Sequence, residues 1–456
     1  MAKSAARDLT QGNPMKLIVG FMLPLLFGLI FQQFYNMVDT IIVGQFLGIN
    51  DLAGVGSTGS VNFLVMGFVI GVCAGFAIPV AQKFGSKDFD ELKKYVGNTI
   101  WISIVFAAVL TTATCLLCSK ILEWMNTPEN VFTPARDYIF VIFLGIPVTF
   151  LYNILSGFIR SLGDSKTPVI FLIISSLLNV ALDIFMIVVL GMGVAGAGWA
   201  TVISQLVSGV LCLVFIIKRF ELLHISRDDL KFRPYYIGRL CAVGLPMGLQ
   251  YSITAIGTIL LQAAVNGLGS VAIAAVTAGN KVGQFMCCPF DAMGSTMATY
   301  GGQNVGAGKL DRLKRGLFDC IILGIGWSVI ALAIAFFFGD SLASMFINTS
   351  DPETAENAAE IIRLAQQFLV YNALFYIPLA FVNIVRFLIQ GMGSSQIALY
   401  AGVFELVARG VVAICFVPIF GYDAVCYANP AAWVLADCFL IPAFFACFKM
   451  IKRKIG

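Results

Sequence analysis

The stretch Met15-KLIVGFMLPLLFGLIFQQFYNMVDTIIVGQF-Leu47 is apolar over a length that can cross a bilayer, and it still contains a carboxylate. About 20 apolar residues are enough for one membrane-spanning helix. Asp39 lies inside this run, and Asp183 lies inside another, Val169–Leu190. An ionisable side chain at membrane depth is costly and usually marks a functional site. Two such carboxylates suggest an ion-coupled pathway.

The composition is that of a polytopic membrane protein. The chain has 456 residues, of which 59% are hydrophobic and 12% charged, and its mean hydropathy is +0.90. Soluble domains carry about 25% charged residues. The polar start Met1–Asn13 leads directly into the first span, so no cleavable signal is expected. The 12 cysteines and the single histidine, His224, show no metal-binding spacing.

Twelve apolar runs separated by polar breaks predict an all-α protein with twelve transmembrane helices. The basic loop Lys218–Arg239 divides them into two groups of six. We therefore expect an N-terminal six-helix bundle over residues 1–219, a cytoplasmic linker loop over 220–235 and a C-terminal six-helix bundle over 236–456. Prolines inside the runs are candidate helix bends: Pro24, Pro147, Pro246, Pro289 and Pro378.

Short motifs recur in the two halves at a nearly constant offset. Ala81–Gly85 corresponds to Gly302–Gly306, and Ser161–Ser165 corresponds to Gly391–Ser395. An even number of spans keeps both repeats in the same orientation. The pattern predicts two bundles related by a pseudo-two-fold axis along the membrane normal, with substrate between them and access alternating by rocking.

The distribution of charge predicts the orientation. Basic residues concentrate in loops that would share one side of the membrane with the N-terminus, as in Lys83–Lys94 and Lys218–Arg239. One loop on the other side is purely acidic: Asp340, Asp351, Glu353, Glu356 and Glu360. The positive-inside rule then puts both termini in the cytoplasm. This topology accounts for the net charge of +4 without a nucleic-acid partner.

Several motifs together resemble a known family. They are Gln32–Asp39 with Pro24 and Gly44, Arg160–Asp164, Asn179–Asp183, Gly193–Gly198 and Gln303–Lys309. In this order they are similar to the multidrug and toxic compound extrusion (MATE) transporters of bacteria over essentially the whole chain. The resemblance implies an exporter of amphipathic, often cationic compounds, driven by entry of Na⁺ or H⁺.

Residue spacing predicts an ion-coupling site in the first half. Asn179 and Asp183 are four residues apart and share a helix face, as do Tyr35 and Asp39, while Thr201 adds a hydroxyl. Oxygen ligands from Asp39, Asn179, Asp183 and Thr201 suit Na⁺, since hard cations prefer oxygen. Two close carboxylates can equally share a proton. The resemblance implies a cation- or proton-binding cluster at the same positions, and both ions remain open.

The second half departs from the branch of the family with acids in the seventh and tenth spans, since the seventh span has no carboxylate here and the tenth has none after Arg363. Glu405 and Arg409 are four apart and predict a structural ion pair. Lys281, Asp291 and Asp437 have no assigned role. Polar, aromatic and methionine side chains give candidate substrate-cavity residues: Gln32, Asn36, Tyr251, Gln262, Lys281, Phe285 and Met286.

Other functions are less well supported. A lipid-linked oligosaccharide or polysaccharide flippase is the alternative, but it would need several basic residues in its cavity, and few lie within these spans. An enzyme would need a nucleophile–base pair or a metal cluster, and ATP-driven transport would need a G-x-x-x-x-G-K-[ST] run. The sequence shows neither pattern, so we expect neither an enzyme nor an ATP-driven transporter. We expect a plasma-membrane protein that contacts small amphipathic molecules and the lipid bilayer, acts as a monomer, and needs no cofactor or obligatory protein partner.

Overall fold

The computed structural model describes residues 6–125, 127–347 and 356–455. Asp351 and Glu353 of the acidic loop lie outside them. Every regular element within these ranges is helical. The α-helices are α1 (Pro14–Phe46), α2 (Ile49–Ser57), α3 (Gly59–Gly85), α4 (Phe89–Trp124), α5 (Glu129–Leu144), α6 (Ile146–Ser161), α7 (Lys166–Ile184), α8 (Gly193–Arg219), α9 (Pro234–Asn266), α10 (Ser270–Gly306), α11 (Leu310–Ser344), α12 (Ala358–Leu374), α13 (Tyr376–Gly391), α14 (Ser395–Val411), α15 (Val417–Phe420) and α16 (Tyr422–Ile455).

These helices confirm the all-α, twelve-span prediction. In the described part of the chain, 10 helices are long and apolar enough to cross a membrane, and two bent pairs raise the number of candidate spans to 12. Many apolar side chains on them face outwards, such as Leu116 of α4 at 78% exposure and Phe337 of α11 at 73%. The bilayer is the environment that would cover such surfaces.

Two spans are broken near a proline. α5 and α6 meet at an angle of 46°, just before Pro147, and α12 and α13 meet at 53°, just before Pro378. Proline removes a backbone donor and its ring clashes with the preceding turn, so a helix tends to break on its N-terminal side. Three other candidate bends lie within uninterrupted helices: Pro24 in α1, Pro246 in α9 and Pro289 in α10.

The chain forms two compact units. The first comprises Met1–Gly12, Leu23–Ser252 and Gly302–Gly308, and the second comprises Asn13–Met22, Ile253–Gly301 and Lys309–Gly456. The core of the first unit consists mainly of isoleucine and valine with several phenylalanines, including Phe76, Phe143 and Phe158. The core of the second includes Val265, Phe368 and Val425. The division into bundles over 1–219 and 236–456 stays a prediction.

The repeated motifs of the two halves meet inside the first unit. The end of α3 packs so tightly against the segment Gly302–Gly308 that a Cβ atom on Gly85 would overlap the carbonyl of Gln303. Reciprocally, a Cβ on Gly306 would overlap the carbonyl of Gln82. The Gln303 side chain accepts a hydrogen bond from the N–H of Leu9 at 2.8 Å. Only glycine permits this reciprocal backbone contact.

We expect Gly85→Ala to destabilise the protein by about 1–3 kcal/mol, the usual cost of overpacking. The obstacle is a backbone carbonyl, which cannot rotate away as a side chain can. Thermal unfolding in detergent measures the effect. Gly326→Ala in α11 is the matched control, because nothing lies within 4 Å of its added Cβ and alanine favours a helix. Equal unfolding temperatures for Gly85→Ala and wild type would contradict the close contact.

Candidate functional site

The two polar residues predicted on the fifth span are fully buried. Asn179 and Asp183 are both 0% exposed, on the last turns of α7. The helix then continues as a short π-helix, Phe185–Val189. Such π-turns insert an extra residue into the helical spiral and are frequent at functional sites. Asp183 therefore lies where the regular helix ends, in the interior of the first unit.

The Asn179 amide connects three helices when its nitrogen is oriented towards the acceptors around it. The nitrogen then donates to Asp183 Oδ2 at 3.0 Å and to the Tyr35 hydroxyl at 3.3 Å, and the oxygen accepts from the N–H of Thr201 at 3.1 Å. The Thr201 hydroxyl donates to the carbonyl of Ala197 at 3.0 Å, one turn earlier in α8. This arrangement holds α1, α7 and α8 together around the Asp183 carboxyl group.

Asp39 brings a second carboxyl group to the same place. It projects from α1, and its side chain lies within hydrogen-bonding reach of the Asp183 side chain. Each residue also has one buried oxygen, Asp39 Oδ1 and Asp183 Oδ1, without a hydrogen-bond partner. Buried polar atoms are nearly always paired. Two unpartnered carboxyl oxygens on facing side chains thus form a site that can accept a proton or a small cation.

Two tyrosines complete the surroundings of the carboxyl pair. The Tyr35 hydroxyl is within hydrogen-bonding reach of the Thr201 side chain. Tyr138, on α5, is buried and close enough to interact electrostatically with both Asp39 and Asp183. Tyr138 is not among the residues predicted from the sequence. Its only sequence signal is a phenol within an apolar helix, which is common in packed cores as well as in binding sites.

The donor set matches what a proton or Na⁺ requires. A hard cation prefers oxygen ligands. Such oxygens can come from the carboxyl groups of Asp39 and Asp183, the amide of Asn179 and the hydroxyl of Thr201. The facing carboxyl groups alone suffice for a proton, because a carboxyl–carboxylate hydrogen bond contains one. The five residues predicted from spacing, including Tyr35, are therefore neighbours in the structure. Their role in ion coupling stays a prediction.

The second half has a charged centre at the corresponding helix position. Glu405 and Arg409 of α14 are buried, at 3% and 5% exposure, and their side chains approach to 3.4 Å as their spacing predicts. Arg386 of α13, which the sequence analysis did not include in this pair, also binds Glu405. A second π-helix, Val412–Phe416, follows directly. Glu405 therefore lies between two buried guanidinium groups.

Polar side chains extend this charged centre within the second unit. Arg409 Nε donates to Asn429 Oδ1 at 3.1 Å, and Asn429 donates to Asn372 Oδ1 at 3.2 Å. Asp437 is buried, and its Oδ1 has no hydrogen-bond partner. Asp291 is exposed on α10. Both acids lie within electrostatic range of Arg386, so their charges belong to this centre.

The candidate substrate-cavity residues fall in both compact units. In the first unit, Gln32 and Asn36 are exposed on α1, and Tyr251 of α9 packs against Gly67 and Gly71 of α3.

In the second unit, Gln262 donates to Asn266 at 2.9 Å, Lys281 is exposed and Phe285 is half-buried. Met286 is buried beneath the Tyr376 hydroxyl, which lies 4.0 Å from its sulfur. The assignment of all seven residues to a substrate cavity stays a prediction.

Twelve candidate spans with a buried carboxyl pair define a multi-pass membrane protein of the transporter class. The chain matches the MatE family model over residues 24–185 and 246–415, and it belongs to that family. Members of the family are transporters. The resemblance inferred from the motifs is thereby confirmed.

Named relatives and a solved structure agree with this assignment. The chain is 30% identical to "Probable multidrug resistance protein YoeA" of Bacillus subtilis (strain 168), over 77% of this chain and 78% of the relative. It is 26% identical to "Probable multidrug resistance protein YpnP" of the same organism, over 83% of each. A solved outward-facing multidrug resistance MATE family transporter of the MOP superfamily shares the fold, with a TM-score of 0.89 at 21% identity and 99% coverage of both chains.

Proposed function

We propose that this protein is a secondary active exporter of amphipathic, often cationic compounds, which it exchanges for H⁺ or Na⁺. The observation that supports this most strongly is the facing pair Asp39 and Asp183, each with an unpartnered buried oxygen. Intramembrane acids of this kind are typical of proton and ion pathways. The names of the Bacillus relatives, both probable multidrug resistance proteins, support the substrate class.

In such an exchange, the coupling ion and the exported compound compete for the negative charge of the carboxyl pair. With an ion bound, the pair is partly neutralised and can remain buried at low cost. With the ion released, two carboxylates would lie side by side in a desolvated site, which strongly favours rebinding. Asn179, which also bonds to the Tyr35 hydroxyl, donates to Asp183 Oδ2 and thereby positions that carboxyl group. A ligand can drive transport only through its differential affinity for two conformations, and the protonation of this pair provides such a difference.

We propose H⁺ as the first choice of coupling ion. The two carboxyl groups are within hydrogen-bonding reach of each other, and that arrangement requires one proton. A Na⁺ ion in the same place would need the carboxylates to separate and the Asn179 and Thr201 oxygens to turn towards it. Na⁺ is therefore the second choice, and the same residues would serve.

We further propose that both termini are cytoplasmic and that the protein lies in the plasma membrane. The support is the concentration of basic residues in the loops Lys83–Lys94 and Lys218–Arg239. The flippase alternative is weaker. Of the basic residues within the described spans, Arg386 and Arg409 are both engaged by Glu405, and Arg363 lies 3.8 Å from Glu360. Lys281 is exposed on α10, but a pyrophosphate would need several basic residues close together.

Purified protein in liposomes tests the proposal directly. We expect ethidium transport to follow an imposed pH gradient, with a Na⁺ gradient alone giving little or none. Transport that follows only a Na⁺ gradient would support an exchanger that is coupled to Na⁺ and not to H⁺. If folded protein transports ethidium under neither gradient, the exporter proposal is overturned and the flippase of lipid-linked substrates becomes the better hypothesis.

A further inference from the structure

An apolar groove of about 770 Å³ opens on the surface of the first unit, between α4, α6 and α8. Its volume is within the range of about 300–1,000 Å³ that is usual for ligand sites. The only polar residues among those that line it are Ser103 and His224. None of its lining residues belongs to the carboxyl site described above.

The length of the groove matches one leaflet of a bilayer. On α4 the lining runs from Val96 to Ala108, a rise of about 18 Å at 1.5 Å per residue. On α6 it runs from Pro147 to Phe158. Half of the hydrocarbon core of a bilayer is about 15 Å thick. An extended acyl chain would therefore fit along the groove.

One end of the groove lies beside the linker that follows α8. The linker residues Leu223, His224 and Ile225 close that end, and the His224 ring nitrogen Nε2 lies 2.8 Å from the carbonyl oxygen of Ile217. Close by, the Trp101 indole donates to the carbonyl of Leu230 at 2.7 Å. Tryptophan is enriched at membrane–water interfaces. The groove thus extends from the interface into the membrane.

The charges at this end favour an anionic headgroup. Asp228, the acid that follows the mouth, is already paired with Lys231 at 2.6 Å, and Asp229 accepts from Ser226. Glu221 is exposed beside the mouth. Exposed basic side chains within a few residues of the lining outnumber it: Lys218, Arg219 and Arg227. Each Lys or Arg near a membrane surface adds to the attraction for anionic lipids.

We propose that this groove is a binding site for one anionic phospholipid, with an acyl chain along α4 and α6 and the headgroup on Lys218, Arg219 and Arg227. The bilayer supplies the ligand, so the site is filled whenever the protein is in a membrane. The bound lipid fixes the linker against the N-terminal bundle. With the orientation proposed above, the lipid belongs to the inner leaflet. Only the choice of leaflet depends on that orientation.

Native mass spectrometry of the purified protein tests the site without any transport assay. The protein in detergent is titrated with phosphatidylglycerol or with phosphatidylcholine. We expect wild type to bind one phosphatidylglycerol, at least tenfold more tightly than it binds phosphatidylcholine. Ala108→Phe fills the groove and should weaken that binding at least tenfold. Val109→Phe is the matched control, because Val109 is the next residue, is 61% exposed and does not line the groove; it should bind as wild type does.

Two further variants keep the test decisive if Ala108→Phe folds poorly. Ala108→Leu should give a smaller loss of phosphatidylglycerol binding. Lys218→Gln with Arg219→Gln should remove the preference for phosphatidylglycerol and leave phosphatidylcholine binding unchanged. Equal affinity of wild type for the two lipids would overturn the proposal, as would full binding by a folded Ala108 variant. Displacement of the lipid by ethidium would identify a substrate site instead and would also overturn it.

Discussion

Asp39→Asn is expected to abolish gradient-driven transport and leave the protein folded in the membrane. The substitution keeps the size of the side chain but removes one of the two carboxyl groups that face each other between α1 and α7. The remaining acid, Asp183, then has no second carboxyl group with which to share a proton. Ethidium flux in proteoliposomes should fall to that of protein-free liposomes, and cells expressing the variant should lose resistance.

The neighbouring residue gives a matched control for this variant. Thr40→Val changes the next residue of the same helix, an exposed side chain that bonds to the carbonyl of Asn36, and it should transport normally. Asp183→Asn should fail as Asp39→Asn does. The double variant should be no worse than either single one, because residues that act as a unit are not additive. Normal flux in Asp39→Asn would refute the coupling role.

Glu405→Gln is expected to destabilise the second unit strongly. Glu405 is 3% exposed and binds both Arg386 and Arg409. Removing its charge leaves two buried guanidinium groups without their shared partner. Breaking a buried ion pair in this way costs about 3–5 kcal/mol. Thermal unfolding in detergent and the yield of monodisperse protein measure the loss.

An exposed pair in the same unit serves as the control for this prediction. Arg363 and Glu360 are also close in sequence, but their side chains are 65% and 59% exposed, at a distance of 3.8 Å. Exposed pairs contribute about 0–1 kcal/mol, so Glu360→Gln should unfold as wild type does. If Glu405→Gln were equally harmless, the buried centre would not be structural, and a transport role for Glu405 would have to be examined.

The corresponding helices of the two halves, α7 and α14, differ in what surrounds their acidic residue. In α7 the pair Asn179 and Asp183 precedes a π-helix, and in α14 the pair Glu405 and Arg409 precedes another. In the first half the carboxyl oxygens remain available to an ion. In the second half guanidinium groups already provide the positive charge that faces Glu405. This difference explains why we assign coupling to one half only.

Much of the fold could be predicted from the sequence because the signals are local. Span number follows from apolar run length, and the breaks before Pro147 and Pro378 follow from proline chemistry. The neighbourhood of Asp39, Asn179, Asp183, Thr201 and Tyr35 followed from helical spacing and from the family resemblance. Arg386 and Tyr138 could not be assigned in this way, since their contacts depend on how helices distant in sequence pack together. The same is true of the groove between α4, α6 and α8.

Substrate-induced proton release from the purified protein in weakly buffered detergent tests directly whether Asp39 and Asp183 form the coupling site. If the pair Asp39 and Asp183 binds the coupling ion, adding ethidium should release protons from wild type and none from Asp39→Asn. Thr40→Val should release as many as wild type. Undiminished release from a folded Asp39→Asn variant would contradict the assignment of this carboxyl pair as the coupling site.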